Sequence, residues 1–326
     1  MAVRYMQASP IIKISRQPRT FAGRAVLLLL RFVFGLAKTV HFESGINPFI
    51  RIVIMPIRCN DTISLCFGPD LEFEVPISDP YWMHVALSGQ YEPDIYWFIR
   101  SLKQIETLFI DCGANIGWWS LIANTSLCWN VIAIEAASHL VERIKINASN
   151  NRSNFTVLQR AVWFKAGEVL QFSTSTGSHA GGHISAVSSY VSDSRLSILE
   201  KVETTTIDNV VSGAMTKEIK RVIIKIDVEG AEDEAFAGAK SAIKNGALVI
   251  YEDHGSDATC KASVAAFKLG CVVYSLPLCI KSPCRSISEI RQVKRKKSIG
   301  YNFIAVNPDF EHFLTEIPNY LSIEKI

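Results

Sequence analysis

A succession of short apolar runs, most of them closed by a polar or acidic residue, is the feature that most constrains what this chain can become. They read TLFID, VIAIE, FTVLQ, RVIIKID, ALVIYE, CVVYSL and YNFIAV, beginning at Thr107, and stretches with helical character start at Gly117, run to about Asn150, follow Gly230 and run to about Leu269. Strands this uniformly apolar need cover on both faces, which is the condition of a largely parallel sheet flanked by helices. The expected fold class is therefore α/β, doubly wound and Rossmann-like. The segment from Trp163 to Thr206 is rich in Ser, Thr and Gly and breaks the rhythm; extra strands and a long loop beside the sheet are expected there.

At 326 residues the chain has room for one large domain with an extension. Its 48% hydrophobic and 20% charged residues exclude collagen-like and disordered classes, which cannot bury enough apolar surface. A net charge of +3 is too small to indicate nucleic acid, and no RNP-like aromatic pattern accompanies Trp118 and Trp119. None of the eight cysteines forms a C-x-x-C pair, which argues against a zinc knuckle and for reduced thiols in a cytoplasmic compartment. The expected organisation is a basic amphipathic segment over residues 1–40, a strand- and turn-rich extension over 41–105, the α/β domain over 106–308 and a tail over 309–326. Within the extension, Ile95 to Leu102 reads as a helix.

The first segment is both basic and apolar. Residues 25–37 read AVLLLLRFVFGLA, and Arg24, Arg31 and Lys38 interrupt any window of about 20 apolar residues, so a spanning helix is not expected. Those cations recur every seven residues and fall on one helical stripe with Leu, Val and Phe around the rest. Two readings stand: residues 21–38 lie in a membrane interface, at the inner membrane surface, or they form a core-packing helix with its cations toward water. Arg31 cuts the apolar run after six residues, which fits a signal peptide poorly.

Two motifs carry the chemistry. In LFIDCGANIGWWSLI, residues 108–122, an apolar strand ends in Asp111 and turns through Gly113 to Gly117, where a helix begins; such a loop brings backbone N–H groups to a ligand. The spacing is G-x-x-x-G with Asn115 where the dinucleotide fingerprint has its second glycine, so NAD ranks second as cofactor. Glu135 closes the next strand, where an acid can accept both hydroxyls of a ribose. In RVIIKIDVEGAE, residues 221–232, Lys225, Asp227 and Glu229 alternate and would share one face if the strand continued. Burying three charges is costly unless they are paired or used. Glu252, Asp253 and His254 end a further strand. All these groups fall at strand carboxyl ends, the binding edge of open α/β sheets.

Those residues resemble the FkbM family of S-adenosylmethionine-dependent methyltransferases. The resemblance rests on Asp111-Cys112-Gly113-Ala114-Asn115-Ile116-Gly117, Glu135, the Asn147 and Asn151 pair, Thr206-Ile207-Asp208, Lys225 to Glu232 and Tyr91-Glu92-Pro93, and covers about residues 90 to 306. Cys112 and Ala136 depart from the family's usual small apolar residue and proline. The resemblance implies a seven-stranded sheet with the last strand antiparallel, S-adenosyl-L-methionine as cofactor, and cofactor binding by Asp111, Gly113, Ala114, Asn115, Gly117 and Glu135. It further implies O-methylation of a hydroxyl on a small-molecule, glycan or lipid-linked acceptor of sugar, glycolipid or polyketide-like type. Asp227, Glu229, Glu252 and His254 are the candidate bases. No metal and no nucleic-acid partner is expected, and a homo-oligomer is compatible. The competing readings are an NAD-dependent oxidoreductase and a binding module that retains the fold without turnover. Ser178 to His183 is read as an acceptor loop, and the basic run Arg291 to Lys297 as a solvated turn.

Overall fold

The apolar runs become strands of one eight-stranded sheet in the computed structural model, which describes residues 10–39, 61–102, 104–175, 178–184, 197–255, 257–276, 282–295 and 301–315. Ahead of that sheet come β1 (Lys13–Arg16), α1 (Phe21–Thr39), β2 (Thr62–Phe67), β3 (Leu71–Pro76), α2 (Pro80–Ser88) and α3 (Pro93–Ser101). Helix α3 starts two residues earlier than expected because a proline needs no N–H partner in the first turn. Strand β1 pairs antiparallel with β2 and β2 with β3.

From residue 107 the chain runs β4 (Thr107–Cys112), α4 (Trp118–Leu121), β5 (Asn130–Glu135), α5 (Ser138–Asn150), β6 (Thr156–Gln159), β7 (Ala161–Val162), β8 (Val169–Ser175), β9 (Ser178–Ile184) and β10 (Ser197–Thr205). It continues as α6 (Ile207–Ala214), β11 (Arg221–Ile226), α7 (Glu232–Ala237), α8 (Lys240–Lys244), β12 (Leu248–Glu252), α9 (Lys261–Lys268), β13 (Val272–Ser275), β14 (Pro283–Cys284), α10 (Ile287–Lys294) and β15 (Asn302–Val306). The sheet order is β14-β13-β15-β12-β11-β4-β5-β6. Strands β4, β5, β6, β11 and β12 are parallel, and β15 runs antiparallel between β12 and β13. This is the expected doubly wound, Rossmann-like sheet with its last strand reversed; the two-residue β14 adds an edge that no apolar run announced.

Both faces of the sheet are covered. Phe109, Ile223, Leu248, Ile250 and Ile304 belong to one core, and Leu108, Ile110, Ile224, Val249, Tyr251 and Phe303 to the other. The first core also contains Val26, Leu27, Leu30 and Phe34 of α1 together with Phe73, Trp82 and Phe98, so the amino-terminal elements pack on one face of the sheet. Each such side chain contributes about 1.5–3 kcal/mol by leaving water. The opposite side of α1 is exposed: Arg24 and Arg31 face solvent, as the core-packing reading requires, but so do Phe21, Leu28 and Phe32. Among the described residues no helix is long and apolar enough to cross a membrane.

The Asn147 and Asn151 pair fastens that amino-terminal layer to the sheet. Asn147 on α5 and Asn151, the residue that caps its carboxyl end, stand one turn apart and meet the outer edge of β3. Asn147 Oδ1 accepts the Glu74 N–H and Asn151 Oδ1 the Glu72 N–H, both at 2.8 Å, while Asn151 Nδ2 donates to the Glu72 carbonyl at 2.6 Å. The spacing matches because four helical residues rise about 6 Å and two strand residues about 6.8 Å. Asn147 Nδ2 also donates to the Ile116 carbonyl at 3.0 Å, which ties the edge to the loop before α4.

Strands β7, β10, β8 and β9 form a second, four-stranded sheet from the Ser-, Thr- and Gly-rich stretch, where extra strands were expected. His179 and His183 of the expected acceptor loop fall on β9, with side chains outside the described residues, as are Lys296 and Lys297 of the basic run. Arg291 and Lys294 are helical, not part of a turn, and Lys294 is buried. Among the described cysteines, Cys66, Cys112, Cys128, Cys260, Cys271 and Cys284 are free.

Candidate functional site

Chain order reverses at β4: β5 and β6 lie on one side, β11 and β12 on the other. Open α/β sheets hold ligands in the crevice beyond the strand ends at such a point. The loops that leave β4 and β11 touch there through main chain. Gly113 has φ +78, and a Cβ on it would lie 1.8 Å from the Asp227 carbonyl oxygen, so no larger residue fits. Asn115 adopts φ 54 and Gly117 φ 83. The loop differs from expectation in one respect. Its N–H groups are engaged within the protein: Gly113 and Ala114 donate to the Ile134 carbonyl at 2.9 and 3.1 Å, Asn115 to Glu135 Oε2 at 2.9 Å and Gly117 to the Ala114 carbonyl at 2.8 Å. The left-handed residues curl the loop back on β5, so side-chain oxygens, not these amides, face the cleft.

That cleft encloses about 640 Å³ open to solvent and is lined by Gly113, Asn115, Glu135, Arg160, Phe172, Asp227 and Glu229 among others. Glu135 is buried, with Oε1 accepting the Ala137 N–H at 2.9 Å; burial pushes its carboxyl up to about 7 against the pull of the Ala137 and Asn115 N–H groups. Asp111 is buried behind it. Ser120 Oγ donates to Asp111 Oδ2 at 2.6 Å, whereas Oδ1 is buried with no hydrogen-bond partner. Burial raises its carboxyl above the ordinary carboxylate range, with the Lys225 ammonium working the other way.

Across Gly113 lies a second group of charges. Lys225 is buried on β11 and its Nζ donates to Asp227 Oδ2 at 2.8 Å. Glu229 does not continue the alternation. Strand β11 stops at Ile226 and Glu229 takes φ 49 before Gly230 at φ 101, so the chain has already turned. Glu92 and Glu252 complete the group. Glu92 sits at φ 37 just before Pro93, accepting Trp119 Nε1 at 2.8 Å and Asn302 Nδ2 at 3.3 Å on its two oxygens. Burial pushes Glu92 up to about 7 and Glu252 to about 9, and the Asp227 carboxylate raises both; Lys225 pulls each of them back. Lys225 is itself held above its ordinary range by Asp227, Glu92 and Asp111 despite burial. Tyr81 and Tyr91 close the wall, their rings edge-on at 6.1 Å, and burial beside Glu92 raises both phenols well above their usual range. Trp82 Nε1 reaches Asn115 Oδ1 at 3.3 Å, so this aromatic wall leans on the glycine loop.

The structure thus brings Asp227, Glu252 and Lys225 together with Glu92, Tyr81 and Tyr91, none of which carried an assigned role from the sequence. The available signal was Glu92-Pro93 before a helix. Asp253 turns away from the cleft into a buried ion pair with Lys294 at 2.5 Å, and His254 is exposed. Among the described residues no cluster of His, Cys, Asp and Glu is arranged to hold a metal ion.

A crevice with a strand-end carboxylate on one side and partly buried acids around a lysine on the other, at the switch point of a sheet with a reversed last strand, is the ligand-binding edge of a Rossmann-like fold. The model of the methyltransferase FkbM domain matches residues 111–297, more than half of the chain, and the chain belongs to that family. It is an S-adenosylmethionine-dependent methyltransferase, which sets aside NAD as cofactor. No curated protein matches the chain. Similar solved structures include precorrin-6y C5,15-methyltransferase from Geobacter metallireducens, at 13% identity and TM-score 0.35, covering 56% of this chain and 72% of that one. Another is the tRNA (uracil-54, C5)-methyltransferase of Pyrococcus abyssi in complex with S-adenosyl-L-homocysteine, at 8% identity and TM-score 0.35, covering 75% of this chain and 43% of that one. A methyltransferase from Pyrococcus furiosus has 16% identity and TM-score 0.31, covering 59% of this chain and 84% of that one. At these values no acceptor or residue role is carried over.

Proposed function

We propose that the enzyme transfers the methyl group to a hydroxyl oxygen of a sugar, glycolipid or polyketide-like acceptor, and that residues 106–308 form the catalytic unit, covered on one face by the described elements β1 to α3. The observation that carries this reading is the ion pair of buried Lys225 with Asp227, a residue that lines the same cleft as Glu135, with Glu252 and Glu92 beside the pair. The residues present suit the cofactor. Glu135 offers lone pairs at the cleft for a vicinal diol, and the unpartnered Asp111 Oδ1 suits an ammonium or sulfonium charge. Asp111, Gly113, Ala114, Asn115 and Gly117 would hold the methionine part and Glu135 the ribose. When bound, S-adenosylmethionine supplies an electrophilic methyl carbon whose transfer discharges the sulfonium.

What the chain must do is align the acceptor oxygen and take its proton. Lys225 fixes Asp227 through Oδ2, leaving Oδ1 to accept the acceptor hydroxyl. Glu252, pushed to about 9, keeps its proton at neutral pH and donates a hydrogen bond instead of acting as base. Tyr81 and Tyr91 offer partly exposed aromatic faces to a sugar ring, and Glu229 stands at the rim. His254, exposed beyond Glu252, ranks below Asp227 as the base. An acceptor carried on lipid would be met at the inner membrane surface. The test is Asp227→Asn: turnover should fall about 10²–10⁴-fold, the range for loss of a positioned base, while calorimetric affinity for S-adenosylhomocysteine stays within a factor of a few. Unchanged turnover removes Asp227 from the mechanism, and cofactor binding with no turnover on any hydroxyl acceptor favours the non-catalytic module.

A further inference from the structure

We infer that β1, α1 and the end of α2 form a docking surface for an anionic phospholipid bilayer, in which an apolar ridge of α1 enters the interface and a groove between Lys13 and Arg31 seats a lipid phosphate. This goes beyond methyl transfer and does not rest on it. Helix α1 has two apolar faces where an ordinary surface helix has one. Val26, Leu27, Leu30 and Phe34 are spent on the core. Phe21, Leu28 and Phe32, spaced by seven and four residues, form a second stripe, and they are 89%, 66% and 70% exposed. Large apolar side chains aligned in this way mark an interaction site, in contrast to singly scattered ones.

Charge selects the occupant. From Pro10 to Thr39 the chain has no acidic residue, and Lys13, Arg16, Arg19, Arg24 and Arg31 are all exposed. Arg16 has a partner in Glu72 at 3.4 Å and the Arg24 Nε donates to the Pro18 carbonyl at 3.0 Å. A second copy of the chain on this face would set the same cations against one another. A polyanion such as nucleic acid would leave the phenylalanines in water. The groove itself has two cations at its rim and Ile14, Phe34 and Leu87 along its walls, which is the chemistry of a phosphate joined to hydrocarbon. An interfacial helix of this kind lies along the surface and does not span.

Sedimentation of the full chain with sucrose-loaded vesicles tests this. The protein should pellet with phosphatidylserine-containing vesicles, stay in solution with pure phosphatidylcholine, and be released at about 1 M salt, where the Debye length is about 3 Å. Lys13→Ala with Arg31→Ala should weaken the partition about 25-fold, two cations at about fivefold each, and Leu28→Glu with Phe32→Glu should abolish it. All four positions are exposed or line the groove, and unchanged affinity for S-adenosylhomocysteine certifies that the variants are folded. Failure of the wild type to pellet with anionic vesicles, equal pelleting with neutral ones, or unaltered pelleting of either double variant overturns the inference. So does a wild-type dimer in analytical ultracentrifugation that Leu28→Glu with Phe32→Glu dissociates, since the ridge would then be covered by a second copy.

Discussion

Replacing Glu135 by glutamine separates what its charge does for the folded chain from what it does for the ligand. In the free protein, burial lifts this carboxyl from its ordinary 4.5 to about 7. At about 1.4 kcal/mol per tenfold change in proton affinity, that is about 3 kcal/mol. The sign follows from the folded state binding the proton more tightly than the unfolded chain: this stability is present below pH 4.5 and is lost as pH rises through about 7. Glu135→Gln should therefore gain stability relative to wild type between pH 4.5 and 8, by up to about 3 kcal/mol in urea unfolding. Ligand binding runs the other way. Ribose hydroxyls donating to the carboxylate favour its ionised form, so wild-type affinity for S-adenosylhomocysteine should fall about thirtyfold from pH 8 to 5.5, because only about 3% of a group with pKa about 7 is ionised at the lower pH. The glutamine offers the ribose diol an uncharged carbonyl oxygen in place of the carboxylate, a loss of about 1.5–3 kcal/mol for a charge-assisted bond, and its binding should be about 10- to 100-fold weaker at pH 8 and nearly flat with pH. A glutamine variant that keeps the wild-type pH profile refutes this account.

Asn147→Ala should cost about 1–3 kcal/mol of stability, the penalty for stranding the Glu74 N–H and Ile116 carbonyl, with cofactor affinity changed little; chemical unfolding and calorimetry read the two effects separately. Lys294→Met leaves the buried Asp253 carboxylate unpaired and should destabilise the fold by about 3–5 kcal/mol, whereas adding Asp253→Asn should recover part of the loss in the same thermal melt. Gly113→Ala forces apart two backbone segments that already touch, and should abolish S-adenosylhomocysteine binding even where circular dichroism shows a folded protein.

The parallel strands were legible because burial on both faces leaves a run of apolar residues with no other use, as in β4, every residue of which is buried. Gly113 and Glu135 were legible from their place at strand ends. The loop amides were misread because Asn115 in a left-handed conformation turns them inward, and a single asparagine gives little notice of that. Glu229 falls out of the alternation because period two holds only while the strand lasts, and β11 ends three residues before it. Glu92 acquires its meaning from Lys225, Trp119 and an asparagine 210 residues away, contacts that only the folded sheet creates. In α1 the core-packing reading accounts for Val26, Leu27, Leu30 and Phe34, while Phe21, Leu28 and Phe32 stay exposed, since thirteen largely apolar residues exceed what one core-facing stripe can use.

The Asn147 and Asn151 amides on the rim of β3 have a consequence for how the protein survives in a crowded solution. An uncovered strand margin is a template on which another chain can add a strand, and natural proteins blunt it with charge, proline or a covering element. Here the cover is provided by two side chains of a helix that also packs behind the cofactor loop through Ile144 and Gly117. Lesions in this helix should therefore announce themselves first as inclusion bodies and only later as lost turnover, and a screen of soluble expression would map α5 more sharply than a screen of catalytic rate.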